Sequence, residues 1–309
     1  KRGLWLIAVE WLIVSFGWTF NVHYNITPFQ VIWAIGISML LFGLLILAKI
    51  PYKLIFILGV VLVAGHNLLD FPEAAPGFQA NFWWDLFHHG VFTPYEYAPS
   101  HVALLVYPFP AWMGVMMLGY CAGILFTASY ATEVRKKMLV RIGLGLIALF
   151  IIVRFTNVYG DPVEWSAQKN GVFTLLSFVN TTKYPPSLLF LCMTLGPALL
   201  LLAYVEKIKN AFTDSMIVFG RTAFFYYILH IYVIHVAAMI CFFARGHSFA
   251  DASNVGEQFP FMFVAPGEGY GLGIVYLVWI LIVVGLYPLC KRYDRYKSQH
   301  PEKWWLSYL

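Results

Sequence analysis

The chain has 309 residues, of which 61% are hydrophobic, 18% aromatic and 11% charged, with a formal net charge of +5. Soluble domains carry about 25% charged residues, so a water-soluble enzyme, a disordered chain and a nucleic-acid binder are excluded as leading readings. A mean hydropathy of +0.73 points instead to a chain whose solvent is the bilayer.

Crossing a bilayer core of about 30 Å takes roughly 20 apolar helical residues. Taken in order, the stretches 4–20, 31–48, 54–70, 103–129, 140–156, 186–204, 216–243 and 272–290 qualify. They are continuous rather than alternating, which argues against a β-barrel. The expected fold is an all-α polytopic transmembrane helical bundle with about eight spans, read as a single domain over 1–309. The chain opens on Lys1 rather than Met, as expected of part of a longer product.

Charge orients these spans. Lys1 and Arg2 precede the first, Lys49 and Lys53 follow the second, and Arg135, Lys136, Lys137 and Arg141 follow the fourth. Lys207 and Lys209 follow the sixth, and Lys291, Arg292, Arg295, Lys297 and Lys303 follow the eighth. The positive-inside rule makes this set cytoplasmic, with both ends of this chain inside. The opposite connections 71–102, 157–185 and 244–271 are long and acidic, holding Glu73, Asp85, Glu96, Asp161, Glu164, Asp251, Glu257 and Glu268. Long ordered loops commonly carry function, so chemistry is expected on the outer face.

Polar groups within the apolar runs need a reason. Glu10 in the first run reads as a partner for a neighbouring helix or as a functional acid. His66, Asn67 and Asp70 close the third run. His66 and Asp70 are four apart and would share a helix face, so Asp70 could orient a His66 base. A hydrogen-bonded helix cap is the alternative. The aromatic run Asn81–His89 reads as an interfacial anchor, as does Trp304–Tyr308. The segment 107–114 interrupts the fourth run, and Lys183-Tyr184-Pro185-Pro186-Ser187 opens the sixth. Such breaks need a protein or aqueous lining. With Asn157, Tyr159 and Asp161 they outline a polar pocket, although Pro185-Pro186 equally suits a helix entry turn. In the seventh run, Arg221 suits a phosphate-bearing donor or snorkels to headgroups. Tyr226, Tyr227 and His230 lie within one turn of one another.

Cys121, Cys192, Cys241 and Cys290 sit in apolar runs and read as buried thiols. His88 and His89 are adjacent and would diverge on a helix, so no metal is expected. Walker, GxSxG and GxGxxG motifs are absent from the sequence.

Several stretches together resemble the bacterial relatives of heparan-α-glucosaminide N-acetyltransferase, a polytopic membrane acyltransferase family. They are Gly65–Asp70, Tyr107-Pro108 with Trp112–Val115, Asn157–Pro162, Ser177-Phe178 with Lys183–Leu188, Phe219–Arg221 with Tyr227 and His230, and Trp304–Leu309. The resemblance covers nearly the whole chain. It implies transfer of an acetyl group from cytoplasmic acetyl-CoA to a sugar or lipid-linked glycan outside, in a bacterial inner membrane. About ten spans are then expected in the full-length protein. The family's N-terminal acidic–Arg-Gly signature and its downstream histidine have no counterpart in this sequence. Within this expectation His66 and Asp70 are the catalytic pair, and Arg221, Tyr227 and His230 contact acetyl-CoA. Asn67, Asn157, Asp161, Lys183 and Tyr184 hold the acceptor. The rival readings are a transporter or flippase of a glycolipid or small solute, and a non-catalytic subunit of a larger membrane complex. A homodimer is compatible with any of them.

Overall fold

The computed structural model describes residues 1–90, 92–252, 261–265 and 267–308. Glu257 and Leu309, which figure in the outer acidic loop and the terminal motif, lie outside the described residues. The chain divides into two compact units. The first comprises Lys1–Leu6, Phe29–Tyr95 and Leu104–Ile208, and the second Ile7–Pro28, Glu96–Ala103 and Lys209–Leu309.

The fold is mostly helical. It begins with α1 (Arg2–Val9), a π-helical turn (Glu10–Val14) and α2 (Ser15–Thr19), so the first apolar run is interrupted at Glu10. Next come α3 (Val31–Leu47), α4 (Tyr52–Gly65) continued by a 3₁₀ turn (His66–Leu69), and the short helices α5 (Asp70–Glu73) and α6 (Phe82–Phe87). The fourth expected span starts late. Residues His101–Leu105 form a strand, and the helix α7 (Pro110–Ala122) begins only where Pro110 can occupy the first turn. Next are α8 (Thr132–Thr156), α9 (Gly171–Val179) and α10 (Leu188–Val205). The seventh run is divided at Thr222 into α11 (Ala211–Arg221) and α12 (Ala223–Ala244), and α13 (Leu272–Gln299) follows.

Strands β1 (Ile26–Phe29), β2 (Thr93–Ala98) and β3 (His101–Leu105) form a small sheet in the order β1-β3-β2. Among the described residues, five helical segments are long and apolar enough to cross a membrane: Tyr52–Glu73, Thr132–Thr156, Leu188–Val205, Ala223–Ala244 and Leu272–Gln299. This is the architecture of an integral membrane protein. The apolar helix Val31–Leu47 is shorter; 17 residues at about 1.5 Å each reach roughly 26 Å.

In the first unit, α8 packs on α10, and α7 on α3 and α4. Glycine sets both close approaches. A Cβ on Gly143 would meet the Gly196 carbonyl at 2.9 Å, and one on Gly114 the Gly59 carbonyl at 3.0 Å. Where lipid supplies no hydrophobic drive between helices, small residues allow backbones to come close. Val63, Phe150, Leu188, Leu189, Leu191 and Cys192 form a buried core beneath the ends of α4 and α10. In the second unit, Val9, Val14 and Ile231 form a core that Tyr227 packs against. All four cysteines are free; three are buried and Cys241 is half-buried.

Candidate functional site

The site is built in the first unit, where α4 changes pitch. A 3₁₀ turn has 3.0 residues per turn, so residues three apart eclipse while residues four apart swing about 120° away. The α-helical spacing expected to join His66 to Asp70 is therefore lost. Asp70 faces Asn67, whose Nδ2 donates to Asp70 Oδ2 at 2.7 Å. The Asn67 Oδ1 accepts the backbone N–H of Leu188 at 2.8 Å, which fixes the amide and ties Asp70 to the start of α10. His66 turns inward, with Nδ1 3.2 Å from the Val63 carbonyl, and is buried.

Two histidines that follow α6 take the place expected of His66. His88 leaves the helix with φ −135° and ψ −54°, so His88 and His89 do not diverge as helical neighbours would. His88 Nε2 lies 3.0 Å from Asp70 Oδ1 and 3.5 Å from Glu73 Oε2. His89 pairs through Nδ1 with Glu73 Oε1. Trp84 Nε1 also donates to Glu73, at 3.1 Å. His88 is 2% exposed, whereas the His89 side chain is 43% exposed. One imidazole thus bridges two carboxylates from behind, and the other stands open. When neutral His89 donates its Nδ1–H to Glu73, its Nε2 carries the lone pair.

A second wall comes from residues 157–187. Asn157 ends α8 with φ 50°, and its amide exchanges hydrogen bonds with the backbone of Trp165. The Asp161 carboxylate accepts from Thr182 N, Thr182 Oγ1, Ser187 Oγ and Val163 N at 2.6–3.0 Å. Ser187 in turn caps α10 by accepting from Phe190 N. Arg154, 2% exposed, donates to the carbonyls of Val163, Ser177, Phe178 and Asn180, with Asp161 Oδ1 at 3.9 Å. Asn157 and Asp161 therefore use their side chains to hold the loop and its junction with α10, while Arg154 holds α9.

Lys183 and Tyr184 project beyond this frame. The Lys183 ammonium lies 5.0 Å from the Tyr184 ring and 5.8 Å from the Tyr107 ring. Tyr107 donates its hydroxyl to Tyr184 Oη at 3.2 Å, and the Tyr184–Pro185 peptide is cis. Burial acts to raise the Tyr184 phenol, but the Tyr107 hydrogen bond and the neighbouring Lys183 charge outweigh it, and the net direction is down. Behind the first wall, Tyr159 donates to the Ala64 carbonyl. Burial, followed by the charge of Asp70, raises its phenol.

Between the walls lies a cleft of about 560 Å³, with Asp70, Glu73, His88 and His89 on one side and Thr182, Lys183 and Tyr184 on the other. Carboxylate-held imidazoles on one wall and a phenol with an ammonium on the other are equipped for proton transfer to or from a polar substrate. Among the described residues, no group of three or more His, Cys, Asp or Glu is gathered to hold a metal.

Of the residues expected from sequence, Asp70, Lys183 and Tyr184 meet at this cleft, while His66 and Asn67 stand behind its wall. Arg221, Tyr227 and His230 belong to the second unit. The Arg221 side chain is 63% exposed, with Nη1 3.8 Å from Asp294 Oδ2. His230 stacks on Tyr226 at 5.2 Å, and its Nδ1 meets the carbonyls of Tyr226 and Tyr227. Sequence reasoning missed Glu73, His88 and His89. The available signal was two acids three apart, followed in the same loop by two histidines.

Compared with protein-family models, characterised proteins and solved structures, the chain matches none.

Proposed function

We propose that this chain is an integral-membrane acyltransferase, related to heparan-α-glucosaminide N-acetyltransferase. It would move an acetyl group from acetyl-CoA to a hydroxyl or amine of a sugar or lipid-linked glycan. The observation that carries the reading is the Glu73–His89 pair at the cleft. A carboxylate on imidazole Nδ1–H fixes the tautomer, leaves Nε2 as the base and stabilises the imidazolium that forms. His89 Nε2 takes the acceptor proton as the acceptor attacks the thioester. Asp70 and His88 hold Glu73 in place, and Thr182 and Lys183 position the acceptor. In the second unit, Arg221 is the candidate contact for the CoA phosphates through its exposed guanidinium, with Tyr227 and His230 as further candidates for acetyl-CoA. The bias of basic residues toward alternate connections supports a bacterial inner-membrane topology with the acceptor cleft outside and both ends of this chain inside.

A transporter is the second reading, because Asp70 and Glu73 are titratable groups at the end of a candidate span. Purified protein in nanodiscs, given acetyl-CoA labelled in the acetyl group and a panel of amino sugars and lipid-linked glycans, separates the two. Label on an acceptor, lost in His89→Gln, is expected. Intact acetyl-CoA together with passage of unmodified solute would establish the transporter.

A further inference from the structure

With the base on one wall and acceptor contacts on the other, the phenol of Tyr184 on that second wall is left without an assigned role. We infer that Tyr184 is the hydrogen-bond donor to the carbonyl oxygen of the acyl group, with Tyr107 and Lys183 tuning it. This rests on the acyl-transfer reading of the cleft and adds to it the group that meets the developing oxyanion.

The geometry assigns the roles. Tyr107 donates to Tyr184 Oη at 3.2 Å, so Tyr184 is the acceptor of that pair and its own O–H is left to donate. The two rings meet edge to face, with centroids 4.9 Å apart and planes at 88°, which sets the direction of the phenols. The Lys183 ammonium, 5.0 Å from the Tyr184 ring, favours negative charge at the phenol oxygen. A phenol so supported is a stronger donor than an isolated tyrosine, and the lowered Tyr184 ionisation agrees with this. Tyr184 lines the same cleft as Glu73 and His89.

The step balances. The acceptor nitrogen or oxygen forms a bond to the thioester carbonyl carbon while its proton passes to His89 Nε2. The carbonyl π pair moves onto oxygen, where the Tyr184 O–H donates without transferring its proton. Collapse of this intermediate restores the C=O and breaks the C–S bond. The departing thiolate takes the proton from His89, and the base is regenerated. Donors placed where charge develops commonly supply the largest share of such catalysis.

The test uses the intact protein in nanodiscs. Tyrosine labelled with ¹³C at Cζ, assigned by Tyr184→Phe, reports the Tyr184 ionisation without requiring turnover. Its midpoint is expected below that of an ordinary tyrosine, and to rise in both Tyr107→Phe and Lys183→Met. With acetyl-CoA and a competent acceptor, Tyr184→Phe should lower kcat by about 10²–10³-fold, as for loss of one oxyanion donor, with KM nearly unchanged. A Tyr184→Phe variant that raises KM and leaves kcat intact would overturn the assignment and make Tyr184 an acceptor contact. A Tyr184 midpoint indifferent to Tyr107 and Lys183 would also overturn it. Failure of wild-type protein to consume acetyl-CoA, with the Tyr184 midpoint still low and still responsive, would reject the acyl-transfer reading and, with it, the oxyanion role.

Discussion

At the scale of single residues, the proposed acyl transfer turns on which of two histidines is the base. His66 is buried with Nδ1 on a backbone carbonyl, whereas His89 is open to the cleft and held by Glu73. His89→Gln should therefore lower kcat by about 10²–10⁴-fold, the range for loss of a general base. His66→Gln should mainly lower the melting temperature. The reverse pattern in steady-state kinetics and thermal melts would return the base to His66. Tyr95 offers a pH test at a site outside the spans. Its hydroxyl donates to Asp85 Oδ2 at 2.7 Å. Burial first, then this carboxylate, push the phenol up to about 12. The folded state thus binds the phenolic proton more tightly than the unfolded state, where it leaves near 10. The associated stability is full below pH 10 and lost as pH rises toward 12. The melting-temperature advantage of wild type over Tyr95→Phe should be constant from pH 7 to 9 and shrink above 10. An advantage that grows with pH would contradict the sign.

At the scale of elements, helix pairs in the first unit depend on glycine where backbones touch. A Cβ on Gly196 would meet the Gly143 carbonyl at 3.1 Å and Ile147 Cγ1 at 2.8 Å, whereas one on Gly145 meets nothing within 4 Å. Gly196→Leu should cost at least about 1–3 kcal/mol by overpacking α8 against α10. Gly145→Ala should gain up to about 1 kcal/mol from helix propensity alone. Unfolding by denaturant in mixed micelles reads both, and equal effects would deny the close approach its role. These helices were legible as long apolar runs, and so was the start of α10 at Ser187. Their interruptions were not. His101–Leu105 is a short apolar segment, and periodicity cannot separate such a strand from a helix. Thr222 parts α11 from α12 and turns its hydroxyl back onto the Val218 carbonyl at 2.8 Å, a local competition that hydropathy does not register. At the site, Asp70, Lys183 and Tyr184 were legible because polar residues stood out at the ends of apolar runs. The pairing of Glu73 with His88 and His89 depends on the path of residues 74–87, and on a 3₁₀ turn that rotates Asp70 away from His66. Residue spacing shows the two acids and the two histidines but not that they meet.

At the scale of the whole molecule, the sidedness of charge in the sequence makes a prediction about which compartment the cleft serves. The basic connections fall on alternate sides of the apolar runs, and Asp70, Glu73, Lys183 and Tyr184 fall with the acidic set. An excess of Lys and Arg near span ends is retained on the cytoplasmic side. Single cysteines placed at the exposed positions Gln79, Lys169, Lys137 and Lys209 test this, with the four native cysteines replaced by alanine. A membrane-impermeant maleimide applied to intact cells should label positions 79 and 169. Positions 137 and 209 should react only after permeabilisation. Under the proposed acyl transfer, that pattern would require the acyl group to cross the bilayer between the CoA donor and the acceptor. It would therefore demand a route through the protein for the thioester arm. The opposite pattern would place the Glu73–His89 pair in the cytoplasm with the donor. Both proposed substrates could then enter the cleft from the same side, with Lys183 as the cleft cation available to the CoA phosphates.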